Sequence, residues 1–238
     1  MPALIPADYS AYVDVICEER VACIEISAGS PRKFMSRLKA ANVKVIHKSA
    51  TVAHALKAES IGVDLIEIAG FEASIAGYAE DDFVGTWVLL AKVCNKLKKT
   101  TPVVVSGSTC TGRQLAAALS MGACGVVMGT RFLATVECPI QPSIKAFLAK
   151  PETDEYSTTV VLRSVANGTR VLKNAVSAQI LALEATKTAD FNQFRVLAAG
   201  ERTKKMWQAS GDVQDAMWSV GQGVGLVESV LTVKVNAK

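Results

Sequence analysis

Residues 102–133 read PVVVSGSTCTGRQLAAALSMGACGVVMGTRFL. The run 102–106 is β-branched and apolar and stops at the small residues Gly107 and Ser108, as a buried strand does on leaving a sheet. Residues 112–121 then carry apolar side chains at helical spacing, and Gly122 separates them from a second apolar run, 124–128, which stops in turn at Gly129 and Thr130. Strand, helix and strand in that order imply a parallel pair, because a parallel partner is reached only through a crossover.

The same rhythm extends outward. Apolar runs at 22–28, 43–47 and 63–69 alternate with helical patterns at 31–41, 51–61 and 83–98, and a further helical pattern follows at 142–150. Ser30 before Pro31 marks a helix start, while Asn42 and Gly62 stand where helices must stop before strands. Residues 7–20 read as an opening amphipathic helix with Tyr9, Tyr12, Val13 and Ile16 on one face. The fold class predicted is α/β with about five parallel strands. After residue 150 the rhythm ends, and 158–167, 171–187 and 191–205 look helical. The expected organisation is a βα domain over 1–150 and a helical layer over 151–238, closed by Gly221, Gly223 and Gly225.

Composition narrows the function classes. Half of the 238 residues are apolar and 6% aromatic, which suits buried parallel strands under helices. The net charge of +4 is spread along the chain, and its densest cluster, 96–99, reads as a solvated helix end, so no nucleic-acid partner is expected. The apolar segments are broken by Lys, Glu or Asp well short of membrane-spanning length, so no membrane association is expected. Six cysteines without a CxxC pair predict reduced thiols in a cytoplasmic protein.

Ligands of parallel α/β proteins gather at the carboxyl ends of strands. That rule selects residues 28–30, 47–49, 69–72, 106–109 and 129–131. Gly107, Ser108, Gly129 and Thr130 are the candidate phosphate cradle, since small residues let backbone N–H groups approach an anion and a following helix start adds its dipole. The alternative is that these residues merely make tight βα turns. His47 ends a strand, as a structural or a site residue, and His54 lies within a helix. Glu72, Glu80, Asp81 and Asp82 have no metal-ligand spacing, and Asp81 and Asp82 read as helix caps; no metal is expected. Trp87, Trp207 and Trp218 read as core residues.

The segments SPRKFMSRLKAANVKVIHK (30–48), HALKAESIGVDLIEIAGFEA (54–73), EDDFVGTWVLLAK (80–92), SGSTCTGRQLAAALSMGACGVVMGTRFLATVE (106–137), RSVANGTRVLKN (163–174) and WSVGQGVGL (218–226) resemble successive blocks of the nitronate monooxygenases, also called 2-nitropropane dioxygenases. The resemblance implies a TIM (β/α)8-type barrel and FMN held by its phosphate at the last two strands. It also implies oxidation of alkyl nitronates with O2 to carbonyl compounds and nitrite. It assigns the phosphate to Gly107, Ser108, Gly129 and Thr130. Lys48 is a further cofactor-binding candidate, suited to the charge of reduced flavin near N1 and the C2 carbonyl, or else a solvated lysine at a loop start; Glu72 is also a cofactor-binding candidate.

Two departures accompany the resemblance. The family's loop after the sixth strand carries a Gly-His after a Glu, whereas residues 70–82 here read GFEASIAGYAEDD. Neither Ala76 nor Gly77 supplies a titratable group, Tyr78 holds its proton near neutral pH, Glu72 could serve only if the loop turned it inward, and no catalytic residue is assigned. A nitronate is already an anion, so use of neutral nitroalkanes should suffer first. The five strands also resemble strands four to eight of the family barrel. The expected barrel is therefore incomplete, with two unpaired edges covered by further copies or by a partner chain, unless the sequence starts partway through the protein. The small-molecule enzyme reading has a rival from another class, a catalytically silent relative acting as an interaction subunit. Another phosphate-binding barrel enzyme is the third reading, which residues 80–82, 129–132 and 221–226 disfavour. No GxGxxG nicotinamide-binding unit is present, which favours O2 as electron acceptor.

Overall fold

The computed structural model describes residues 8–27, 29–74, 76–78, 84–188 and 191–236. In chain order its first elements are α1 (Ser10–Glu18), β1 (Cys23–Ile26), α2 (Met35–Ala40), β2 (Lys44–Ser49), α3 (Val52–Ile61), β3 (Leu65–Ala69), β4 (Ala76–Tyr78), α4 (Thr86–Lys96), β5 (Val103–Ser106), α5 (Gly112–Ser120) and β6 (Gly125–Val126). The chain divides into two compact units. One holds Met1–Gly70, Val84–Ser106 and Leu115–Val126, and the other Phe71–Phe83, Gly107–Gln114 and Val127–Lys238.

In the first unit the strands form one parallel sheet in the order β1-β2-β3-β5-β6. Alternation along each strand divides the side chains. Val45, Ile66, Ile68, Val103 and Val105 pack against Leu38, Ala55, Leu89, Leu90 and Val93 from the helices in one buried cluster. Glu25, Lys48, Glu67 and Ser106 fall on the opposite face of the sheet by the same alternation. The fold is α/β of the TIM-barrel type and incomplete: β1 and β6 are the sheet's edges and do not pair with each other among the described residues.

Local chemistry fixes the connections. The Thr51 hydroxyl accepts from the His54 amide at 3.1 Å to cap α3, and Gly62 ends it with φ 86°. Asn42 takes φ 58° where α2 stops. A Cβ at Gly70 would lie 2.3 Å from the Thr86 amide nitrogen, so the chain after β3 passes α4 at a distance only glycine allows.

The second unit contains α6 (Thr130–Leu133), α7 (Pro142–Leu148), β7 (Thr158–Val161), β8 (Gly168–Leu172), α8 (Ala175–Ala185), α9 (Phe191–Leu197) and α10 (Gly200–Lys205). Trp218 is buried with Ile144, Leu148 and Met206, and a smaller cluster joins Val161, Val171, Ile180 and Phe194. Helices α8, α9 and α10 fall in the stretches 171–187 and 191–205 expected to be helical, but residues 158–167 are not helical as expected. They form β7 and a turn, and β8 opens the next stretch, giving an antiparallel sheet β4-β8-β7. The β-branched residues Thr158, Thr159, Val160 and Val161 favour the pleated strand over the helix they otherwise mimic in apolar spacing. Asn174 then starts α8 with a capping box: its side chain accepts from the Ser177 amide and its amide donates to the Ser177 hydroxyl, both at 2.9 Å.

Among the described residues no helix is long and apolar enough to cross a membrane, and no cluster of three His, Cys, Asp or Glu residues suits a metal. All six cysteines are free thiols.

Candidate functional site

After β5 the chain enters Gly107 and Ser108, both left-handed with φ 104° and 60°. Glycine adopts this backbone freely; serine does so against a steric cost and needs something to hold it. Three contacts do. The Ser108 hydroxyl donates to the Glu72 carbonyl at 2.8 Å and accepts from the Gly223 amide at 2.8 Å, and the Ser108 carbonyl accepts from Gln114 Nε2 at 2.8 Å.

The second turn is held by the same distant segment. The Gly221 amide donates to Thr130 Oγ1 at 3.2 Å, and the Gln222 amide donates to the Glu72 carbonyl at 3.0 Å. Residues 221–223 thus form a strap that ties both turns to the 71–74 loop. Space requires glycine at 223, where a Cβ would lie 2.7 Å from Cys110 Sγ and 2.9 Å from Ser108 Cα, and is tight at 221, where one would lie 3.1 Å from the Glu72 carbonyl oxygen. In the sequence these glycines read only as a closing segment, and the signal for their part in the site is glycine at every second position, 221, 223 and 225.

The residues present fit a phosphate. Among the described residues the amides of Ser108, Gly129 and Thr130 donate to no acceptor, and a Cβ built at Gly129 meets nothing within 4 Å. Donors without acceptors beside open space suit an anion. The helix-dipole contribution expected from the sequence is weaker than foreseen. Helix α5 begins only at Gly112, and Gln114 Oε1 accepts from the Cys110 and Thr111 amides at 2.7 and 3.1 Å, turning them inward. Helix α6 is a single four-residue turn.

The structure brings Gly107, Ser108, Gly129, Thr130 and Glu72 into one unit, with Glu72 contributing its carbonyl, and places Lys48 in the other unit. There the β2–β3 register sets Lys48 directly opposite Glu67, and the ammonium lies 2.9 Å from Glu67 Oε1 and 3.3 Å from Glu25 Oε1. Glu67 is 1% exposed. Burial pushes its carboxyl up, and the Ser106 hydroxyl and Lys48 only partly oppose this. Burial alone would depress Lys48, but Glu67 and Glu25 outweigh it and raise the ammonium above its ordinary range. Lys48 and Glu67 form a close ion pair at 2.9 Å.

His47 projects to the helix-covered face, opposite to Lys48, and is 8% exposed. Burial lowers its pKa, opposed by a hydrogen bond with the Ile26 backbone, which fits the structural reading of this histidine. Trp218 is fully buried, and Trp87 and Trp207 pack at the edges of their cores. Residues 80–82, and with them the capping roles expected for Asp81 and Asp82, lie outside the described residues. The backbone of Ala76–Tyr78, where the family carries its histidine, is strand β4 paired with β8 through Ala76↔Thr169 and Tyr78↔Gly168.

Parallel βα units with small-residue turns at two successive strand ends define an α/β protein of the TIM-barrel type. The chain belongs to the nitronate monooxygenase family, whose sequence profile matches residues 3–235. It is 37% identical over 133 residues to a (3aS,4S,5R,7aS)-5-hydroxy-7a-methyl-1-oxo-octahydro-1H-indene-4-carboxyl-CoA dehydrogenase of Rhodococcus jostii, covering 56% of this chain and 36% of that protein. It is 30% identical over 168 residues to a probable nitronate monooxygenase of Staphylococcus aureus, covering 67% of this chain and 47% of that protein. The chain therefore spans less than half the length of these curated relatives. Among solved structures, FabK from Thermotoga maritima superposes with TM-score 0.85 at 28% identity, over 98% of this chain and 71% of that one. The nitroalkane oxidase from Streptomyces ansochromogenes superposes with TM-score 0.76 at 26% identity, over 96% and 67%.

Proposed function

We propose that this chain holds FMN and serves the oxidation of alkyl nitronates by O2 to a carbonyl compound and nitrite. The observation that carries this reading is the pair of turns at Ser108 and Gly129–Thr130, strapped together by residues 221–223 and presenting undonated amides. These amides and Gly107 hold the phosphate, and the Glu72 carbonyl keeps the strap in place. Within the other unit, Glu67 and Glu25 keep Lys48 charged. Bound FMN supplies an electron acceptor for the nitronate and a donor for O2.

Ala76, at the place the resemblance gives to the family's histidine, has no titratable group. The substrate is accordingly the preformed nitronate anion, which needs no proton removed. Further copies, a partner chain, or a portion of the protein beyond this sequence covers the sheet edges β1 and β6. The second reading, a silent relative acting as an interaction subunit, is favoured by Ala76 and by the pairing of β4 with β8 at that place.

Purified protein titrated with FMN distinguishes them, with oligomeric mass measured alongside. Flavin absorbance retained after gel filtration, with oxygen consumed on addition of a nitronate and not of the neutral nitroalkane, is the expected result. Protein that stays colourless with added FMN belongs to the silent reading.

A further inference from the structure

Arg170, on β8, is 3% exposed, and neither the fold nor the phosphate turns by themselves explain a guanidinium buried there. Several of its contacts with described residues go to one loop. Nε donates to the Phe71 carbonyl at 3.0 Å, and the guanidinium carbon stands 4.4 Å from the centre of the Phe71 ring, a cation–π distance. NH1 donates to Thr158 Oγ1 at 3.0 Å, which anchors the group to β7. The Arg170 backbone carbonyl also accepts from the Ser74 hydroxyl at 2.6 Å. Arg170 therefore grips the loop at residue 71 and again at residue 74.

Between those two grips lies Glu72, whose carbonyl accepts from both the Ser108 hydroxyl and the Gln222 amide. That carbonyl is the point where the first turn and the strap meet. A shift of the loop moves the acceptor of both bonds, and with it the hydroxyl that restrains Ser108 at φ 60°. We propose that Arg170 is a positioning residue for the phosphate cradle: by clamping residues 71–74 it fixes the Glu72 carbonyl, and through it Ser108 and the strap. The guanidinium touches neither cofactor nor substrate in this role. The inference rests on the FMN reading above.

Its test compares affinities for FMN and for riboflavin, which lacks the phosphate, in the whole chain and its Arg170→Lys variant. Lysine keeps the charge but loses the planar fork and the stacking on Phe71. The variant should bind FMN roughly tenfold more weakly, the magnitude of one lost charged hydrogen bond, while its riboflavin affinity stays within about twofold, and inorganic phosphate should compete with FMN less well than in the parent. Phe71→Leu, which leaves the carbonyl and removes the ring, provides a milder second variant and should lower the same ratio in the same direction. An unchanged FMN-to-riboflavin ratio in both variants, whether the two affinities hold or fall together, overturns the positioning role. A parent chain that binds neither FMN nor inorganic phosphate overturns the FMN reading itself, and the two failures are thereby told apart.

Discussion

Ser108 and Gly223 stand 115 residues apart in the chain, yet the amide of the second donates to the hydroxyl of the first at 2.8 Å. The same hydroxyl donates onward to the Glu72 carbonyl, so one serine joins three separate stretches of chain. Its left-handed backbone is the cost of standing at that junction.

Replacing Ser108 with alanine removes both hydroxyl bonds and keeps the left-handed strain. A loss of about 1–2 kcal/mol is expected in urea unfolding. Ser108→Gly loses the same bonds but relieves the strain, so it should be the more stable of the two variants. An alanine variant as stable as the parent would show that the hydroxyl junction contributes nothing to the fold.

Two glycines of the same site should respond oppositely to alanine. A Cβ at Gly223 meets Cys110 Sγ at 2.7 Å and Ser108 at 2.9 Å, so Gly223→Ala should cost about 1–3 kcal/mol through forced displacement of the strap. Gly129 has φ −105° and open space where its Cβ would stand. Gly129→Ala should leave stability within about 0.5 kcal/mol of the parent while weakening FMN binding, because the methyl enters the space assigned to the phosphate. Melting temperature and FMN titration read the two effects separately, and equal destabilisation by both substitutions would contradict the geometry.

The Lys48–Glu67 pair makes stability depend on pH with a definite sign. Burial raises the Glu67 carboxyl in the folded chain. Its contribution is therefore complete below the free carboxyl's pKa of about 4.3 and is lost as pH rises through the higher folded value. Lys48 is raised as well, so its contribution persists through neutral pH and is lost only in the alkaline range above about 10.4. Glu67→Gln should flatten the acid-to-neutral slope of unfolding free energy. Lys48→Met strands a buried carboxylate and should cost about 3–5 kcal/mol near neutrality, less in acid where Glu67 is protonated. A Lys48→Met deficit that grows toward low pH would reverse the assignment.

The parallel sheet was legible because its signals are local. Runs 43–47, 63–69 and 102–106 announce β2, β3 and β5 through their own apolar residues, and Asn42 and Gly62 announce helix ends through backbone preferences that need no distant partner. Residues 158–167 were misread for the converse reason. A short apolar run fits either periodicity, and β7 is decided by its antiparallel partner β8.

The sequence by itself determined the βα succession, the family and the small residues at two successive strand ends, since each depends on neighbouring residues along the chain. Tertiary structure alone decided that residues 221–223 strap those ends together, that Arg170 clamps the loop between them, and that Lys48 faces Glu67. Each of these is a pairing of groups distant in sequence, set by sheet register or loop closure, and such pairings acquire their energy only when folding brings the partners to hydrogen-bonding or ionic distance.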